Sequence, residues 1–309
     1  VSAAWIAGSV RARLLVVERR LGAAGARSLA AAPSLPAAIA ALGRTPYRRE
    51  LGSARSLAEV QRAVAAKVLV ELRLLAGWLP GDALGLLRAL AGWYELANVE
   101  DRLAYLAGAP ARPPFELGSL AVAWPRASGA QSLEELRAAL ASSSWGDPGG
   151  ETPTELGLGL RLALARRVAA EAPEASSWAA GAAALLVARE LYVVGLPVEL
   201  LPLPAVRLLG SGWSAAATFD RFAAALPPAA AWPLDGVAGA GSLWRAEAHW
   251  WQRVEQEARR LLASQVAGRA TVLGASALLA ADARRVSAAL AVAARRGLSG
   301  VEEVFDAAV

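Results

Sequence analysis

Cysteine and methionine are absent from the 309 residues, and histidine and lysine each occur once, as His249 and Lys67. Without cysteine there is no disulfide framework and no thiolate metal site, a pattern at home in the cytoplasm. One histidine cannot build a histidine metal centre. A Ser–His–Asp triad would have to use His249, and no G-x-S-x-G accompanies it. Set between Ala248 and Trp250, it reads as a helix-face residue among tryptophans. Isoleucine and threonine are few, and no stretch alternates strictly between apolar and polar, so strands are not expected. Long apolar runs are missing too. The longest uncharged run with helical character, SSWAAGAAALLVA (176–188), lies between Glu174 and Arg189 and falls short of the ~18–20 residues of a spanning helix. LYVVGLPVELLPLPAV is broken by prolines and Glu199. Arg11, Arg13, Arg19 and Arg20 come too early for a secretory signal, and a soluble protein is expected.

What is present favours helix. The hydrophobic fraction is 56%, much of it alanine, which suits helices and their close approach. The expected class is all-α, and the length suggests two or three domains. A net charge of +5 is spread along the chain without a basic block.

Four Pro/Gly-rich breaks punctuate the sequence, at 108–119, 143–154, 195–204 (with 210–214 soon after) and 226–242. Helix starts are legible as capping boxes at Ser56–Glu59, Ser132–Glu135, Thr152–Glu155 and Ser299–Glu302. After the first, Leu57, Val60, Val64, Val68, Leu72 and Leu75 recur at helical spacing, leaving Gln61, Arg62 and Arg73 to water. Val10, Leu14, Val17 and Leu21 repeat the pattern. Helices are expected over about 82–107, 244–266 and 274–297. The segments 83–108 and 274–297 share an apolar lead, a charged middle and an apolar tail, and 182–195 is a weaker third echo.

Few residues point to chemistry. DGVAGAGS (235–242) lacks the Lys and Ser/Thr of a phosphate loop and follows no strand. The adjacent acids Glu100/Asp101, Glu134/Glu135 and Glu302/Glu303 diverge on a helix and cannot converge on one substrate atom. Most of the eleven tryptophans are scattered, which suits packing better than nucleic-acid stacking. The best constellation is in YELANVEDRLAYL (94–106), where Tyr94, Asn98, Asp101, Arg102 and Tyr105 fall on one helical stripe. It has no nucleophile and no metal set. It reads as a polar seam that sets helix register, with Asn98 and Arg102 bonding each other and facing main chain. On that basis Asn98→Leu changes stability by about 1–2 kcal/mol.

Several segments then follow in a telling order: AGSVRARLL (7–15), LPAAIAALGRTPYRREL (35–51), LPGD (79–82), YELANVEDRLAYLAGAPARPPFELGSL from 94 on, and LAADARRVSAALAVAARRGLSGVEEV (279–304). In that order they resemble the C-type stalk component of archaeal and bacterial V/A-type ATPases, the counterpart of the d-type component of eukaryotic V-ATPases. The likeness covers 1–120 and 240–309. In the last helix Arg285, Val286, Ser287 and Ala288 stand where that family often carries Glu and Asn. The resemblance implies three similar helical domains, 1–112, 113–213 and 214–309, around a pseudo-threefold axis in a funnel. It also implies a non-catalytic central-stalk socket coupling rotor shaft subunits of D/F type to the proteolipid c-ring. Arg11, Arg13, Tyr47, Trp250 and Trp251 are candidate contacts for those partners. No cofactor, metal, nucleic acid or small-molecule substrate is implied, and the place is cytoplasmic, at the inner face of the membrane. The alternative is a helical adaptor or scaffold unrelated to rotary ATPases.

Overall fold

The computed structural model describes residues 2–201 and 203–295, so the capping box expected at Ser299–Glu302 lies outside the described residues. The chain is all-α: 75% helix, with no strand among the described residues. Its first α-helices are α1 (Ala3–Arg19), α2 (Gly22–Ala30), α3 (Leu35–Leu42), α4 (Arg48–Leu51) and α5 (Leu57–Ala76). Next come α6 (Leu84–Leu106), α7 (Trp124–Ala127), α8 (Leu133–Ala141), α9 (Pro153–Glu171) and α10 (Ser176–Arg189). The remainder are α11 (Leu203–Leu209), α12 (Phe219–Ala225), α13 (Pro228–Ala231), α14 (Leu243–Ala263) and α15 (Arg269–Ala294).

Caps explain many of the starts. Ser56 and Glu59 close a reciprocal box on α5. Ser132 and Thr152 accept from the amides of Glu135 and Glu155, while those two carboxylates reach one residue further back, to the amides of Gln131 and Glu151. Ser2, Ser34 and Thr218 cap α1, α3 and α12 without an acid three residues on, so no box marks them in the sequence.

Two elements run longer than their sequence pattern. α15 starts at Arg269 rather than 274, because Thr271, Val272 and Leu273 are buried and packing overrides the weak helix preference of β-branched residues. α10 is preceded by a 3-10 turn and continues through a π turn (Glu190–Val194) to Gly195, whose positive φ of 78° ends it. The continuous helix Pro173–Val194 therefore has 22 residues and is long and apolar enough for a membrane span, but half of its apolar window is buried inside the protein, as in a core helix.

Two compact units result: residues up to Ala83 together with those from Trp251, and Leu84–Trp250. In the first, α15 is the central element, and α1, α2, α3 and α5 pack on it. Val272, Leu279, Val286 and Leu290 of α15 are buried, as are Leu15, Leu42, Val64 and Leu72 of the helices that pack on it. A Cβ on Gly274 would lie 2.6 Å from the Ala258 carbonyl, so only glycine permits this approach of α15 to α14. One apolar stripe takes an unexpected side. Val10, Leu14 and Val17 face outward, and α1 buries Gly8, Ser9, Ala12, Leu15 and Val16 instead. Small residues on that inner face allow close packing that the bulkier stripe would prevent.

The second unit has two cores that share α9. Leu156 and Leu160 join Leu96, Val99, Leu136, Leu140 and Trp145, whereas Leu158 and Leu162 join Ala184, Val187, Leu209, Trp213 and Phe222. A helix apolar on two sides is buried between others.

Candidate functional site

The polar stripe of α6 binds main chain. Asn98 is fully buried; its Nδ2 donates to the Phe115 carbonyl at 2.9 Å, and its Oδ1 accepts the Phe115 amide at 2.6 Å. One turn on, the Arg102 guanidinium donates through Nε and Nη2 to the Ala130 carbonyl and stacks on Tyr105 at 4.8 Å. Asn98 and Arg102 do not bond each other: both reach out to the 115–130 segment. The Tyr94 ring meets Phe115 edge-on at 5.3 Å, and burial pushes its hydroxyl pKa up. Asp101 pairs with Arg112 at 3.4 Å near the surface.

The centre of this arrangement is Glu95, which stripe spacing alone does not single out. Its Oε1 accepts the amides of Val122, Ala123 and Trp124 at 2.7–2.8 Å, at the start of α7. Its Oε2 accepts the indole N–H of Trp145 at 2.6 Å. A carboxylate suits this place because the free amides at a helix start carry partial positive charge. Arg167 of α9 stacks on the Trp145 ring at 4.5 Å. Burial is the main cause holding its pKa down, and Glu95 opposes that shift.

An equivalent anchor stands in the first unit. Asp282 of α15 accepts the amides of Leu21 and Gly22 at 2.8 and 2.7 Å, at the start of α2, and the Tyr47 hydroxyl at 2.8 Å. Ser34 and Ser132 each stand thirteen residues before Tyr47 and Trp145, and each caps a short helix. Both layouts join a long helix bearing a buried acid to two short helices, an aromatic donor and a capped long helix, although in the chain α15 follows the elements it anchors and α6 precedes them. A looser counterpart is formed by α10, α11, α12, Trp232 and α14, with α13 between α12 and Trp232. There the Trp232 indole donates to the Ser177 carbonyl at 3.2 Å, and main chain takes the place of the carboxylate. One such layout lies in the first unit. The other two fall mainly in the second.

Further charges are buried in the first unit. Lys67 is 2% exposed, 3.5 Å from Glu71, and its ammonium lies over the Tyr47 ring at 4.8 Å. Burial lowers its pKa and Glu71 opposes the shift. Arg19 approaches Glu71 at 3.8 Å. Glu255 binds Arg285, with Arg259 at 2.5 Å and Arg20 at 3.6 Å. Gln61, expected to face water, donates to the Ser287 carbonyl.

The remaining candidates are dispersed. Arg13 donates to the Leu262 and Ser264 carbonyls, Tyr47 is buried on Asp282, and the Trp250 indole donates to the Trp178 carbonyl. Arg284 stacks on Trp251 at 5.3 Å. Arg11 alone of these makes no bond among the described residues; it is half-buried, with its Nε shielded from water. His249 is exposed and meets Trp232 edge-on at 5.8 Å. An open cavity of about 300 Å³ is lined by Leu191, Tyr192, Val198 and Ser214–Ala217, with the Tyr192 hydroxyl bonded to the Ala216 carbonyl. No group of three metal-ligating side chains occurs among the described residues.

Glu95 and Asp282 are each 1% exposed and filled by donors from their own unit. A general acid or base must reach substrate. Seated this way, these carboxylates fasten helices. No family model matches the chain, and no curated protein matches it.

Proposed function

We propose that this chain is a non-catalytic helical socket of a rotary V/A-type ATPase, holding the foot of the D/F-type shaft on the proteolipid ring. The observation that carries the reading is the recurrence of one helical layout, anchored at Asp282 with Tyr47 and at Glu95 with Trp145, with a partial third instance at Trp232. Such recurrence in one chain supports three similar domains set around a pseudo-threefold axis as a funnel. A part that passes torque needs stiff modules, and buried, hydrogen-bonded carboxylates stiffen helix junctions. Its place is then cytoplasmic, against the membrane-embedded ring, with membrane contact only through that ring.

Co-expression with D/F-type shaft subunits and a detergent-solubilised proteolipid ring tests the reading. A stoichiometric complex that needs this chain to join shaft to ring is the expected result. A folded chain that binds neither component would point instead to a scaffold of another assembly.

A further inference from the structure

The outward face of α1 is apolar along its length. Ile6, Val10, Leu14 and Val17, spaced four, four and three apart, are between 44% and 81% exposed, with the small, exposed Ala3 and Ala7 between them. On a helical projection these residues fill an arc of roughly 100°, the width of a face that packs on another helix. Two opposite charges border one edge of the arc: Arg11, and Glu18 seven residues on. Neither makes a hydrogen bond or ion pair among the described residues, and Arg11 Nε is shielded from water without a partner.

We propose that this face binds a second copy of itself, α1 against α1 in antiparallel fashion. The charges select this occupant. A twofold axis across an antiparallel helix pair brings the same edge of both helices together. With the axis passing beside Leu14, Arg11 lies level with Glu18 of the second copy, and Glu18 with its Arg11. The same operation sets Leu14 against its own counterpart and Val10 against Val17 of the second copy. Any other occupant would need an apolar helix bearing an acid and a base about 10 Å apart along its edge, and α1 already has both. The contact is small. The stripe is only about 16 Å long, far short of the roughly 800 Å² per partner of a stable complex, so the dimer is weak and reversible. It rests on unit-internal geometry and is independent of the rotary reading.

Sedimentation velocity on the full chain, at low salt and rising to about 1 mM, tests it. Reversible dimerisation is expected, and Leu14→Glu, at a position 44% exposed, abolishes it without altering the circular-dichroism melt. Arg11→Glu and Glu18→Arg each weaken the dimer about ten-fold by placing like charges opposite. The double variant Arg11→Glu/Glu18→Arg recovers it. A monomer at every concentration overturns the proposal and leaves the face to a different chain. So does a dimer indifferent to Leu14→Glu, or a double variant no tighter than the single ones.

Discussion

Glu95 accepts the indole N–H of Trp145 at 2.6 Å through one oxygen while its other oxygen takes three consecutive main-chain amides. Four donors thus converge on one buried carboxylate. Glu95→Gln keeps the shape, removes the charge and turns an N–H toward donors. The expected loss is about 2–4 kcal/mol, the scale of charge-assisted bonds broken around a buried group. Urea unfolding followed by tryptophan fluorescence measures it, and an unchanged midpoint would refute the anchor.

Asn98→Leu strips both main-chain groups of Phe115 of their partner. Each buried group left unsatisfied costs about 1–3 kcal/mol, so the two together cost about 2–6 kcal/mol. That exceeds the loss expected for a pairing with Arg102. A cost below 1 kcal/mol in chemical denaturation would mean that water replaces the side chain.

Lys67 and Glu71 are unequal partners. Lys67→Met leaves Glu71 with Arg19 at 3.8 Å, whereas Glu71→Met takes from a buried ammonium the one carboxylate it bonds among the described residues. Breaking a buried pair costs about 3–5 kcal/mol, and the larger share is expected for Glu71→Met. Thermal melts of the two variants give the order directly; equal losses would count against it.

Arg137 holds Asp147 with paired bonds of 2.7 and 2.8 Å, and the Gly149 amide adds a third. The Arg137 side chain first, then Gly149, pulls the Asp147 pKa from 3.8 to about 2. Because the folded value is the lower one, the contribution is complete above pH 3.8 and fades as pH falls toward 2. Both side chains meet water, so the effect is small. Wild type and Asp147→Asn should therefore differ in stability at neutral pH and converge near pH 2; a gap that persists there would exclude this source.

Much of the helix framework was legible in the sequence. Ser56, Ser132 and Thr152 mark starts because a cap and its acid lie within four residues, a local signal. The anchors were not, because their partners are remote. Glu95 is held by the main chain of residues 122–124, and an amide carries no side-chain signature to read. A spacing test does bring it in, since Glu95, Asn98 and Arg102 fall three and four apart. Lys67 and Glu71 were legible in the same way, as charges inside the stripe of Val64, Val68, Leu72 and Leu75. The charged middles of 83–108 and 274–297 hold the buried acids Glu95 and Asp282. The echo at 182–195 is weak because α10 carries no acid at that place and Trp232 bonds main chain instead. Periodicity misled on α1: it finds a stripe but not the side on which the protein lies, and there the small residues went inward.

Ion transport driven by ATP, measured in membranes of a strain lacking this chain, tests the proposed socket role most directly. The account predicts that ATP hydrolysis by the head persists while transport is lost, and that the wild-type chain restores it. Full coupling between hydrolysis and transport in the chain's absence would contradict it.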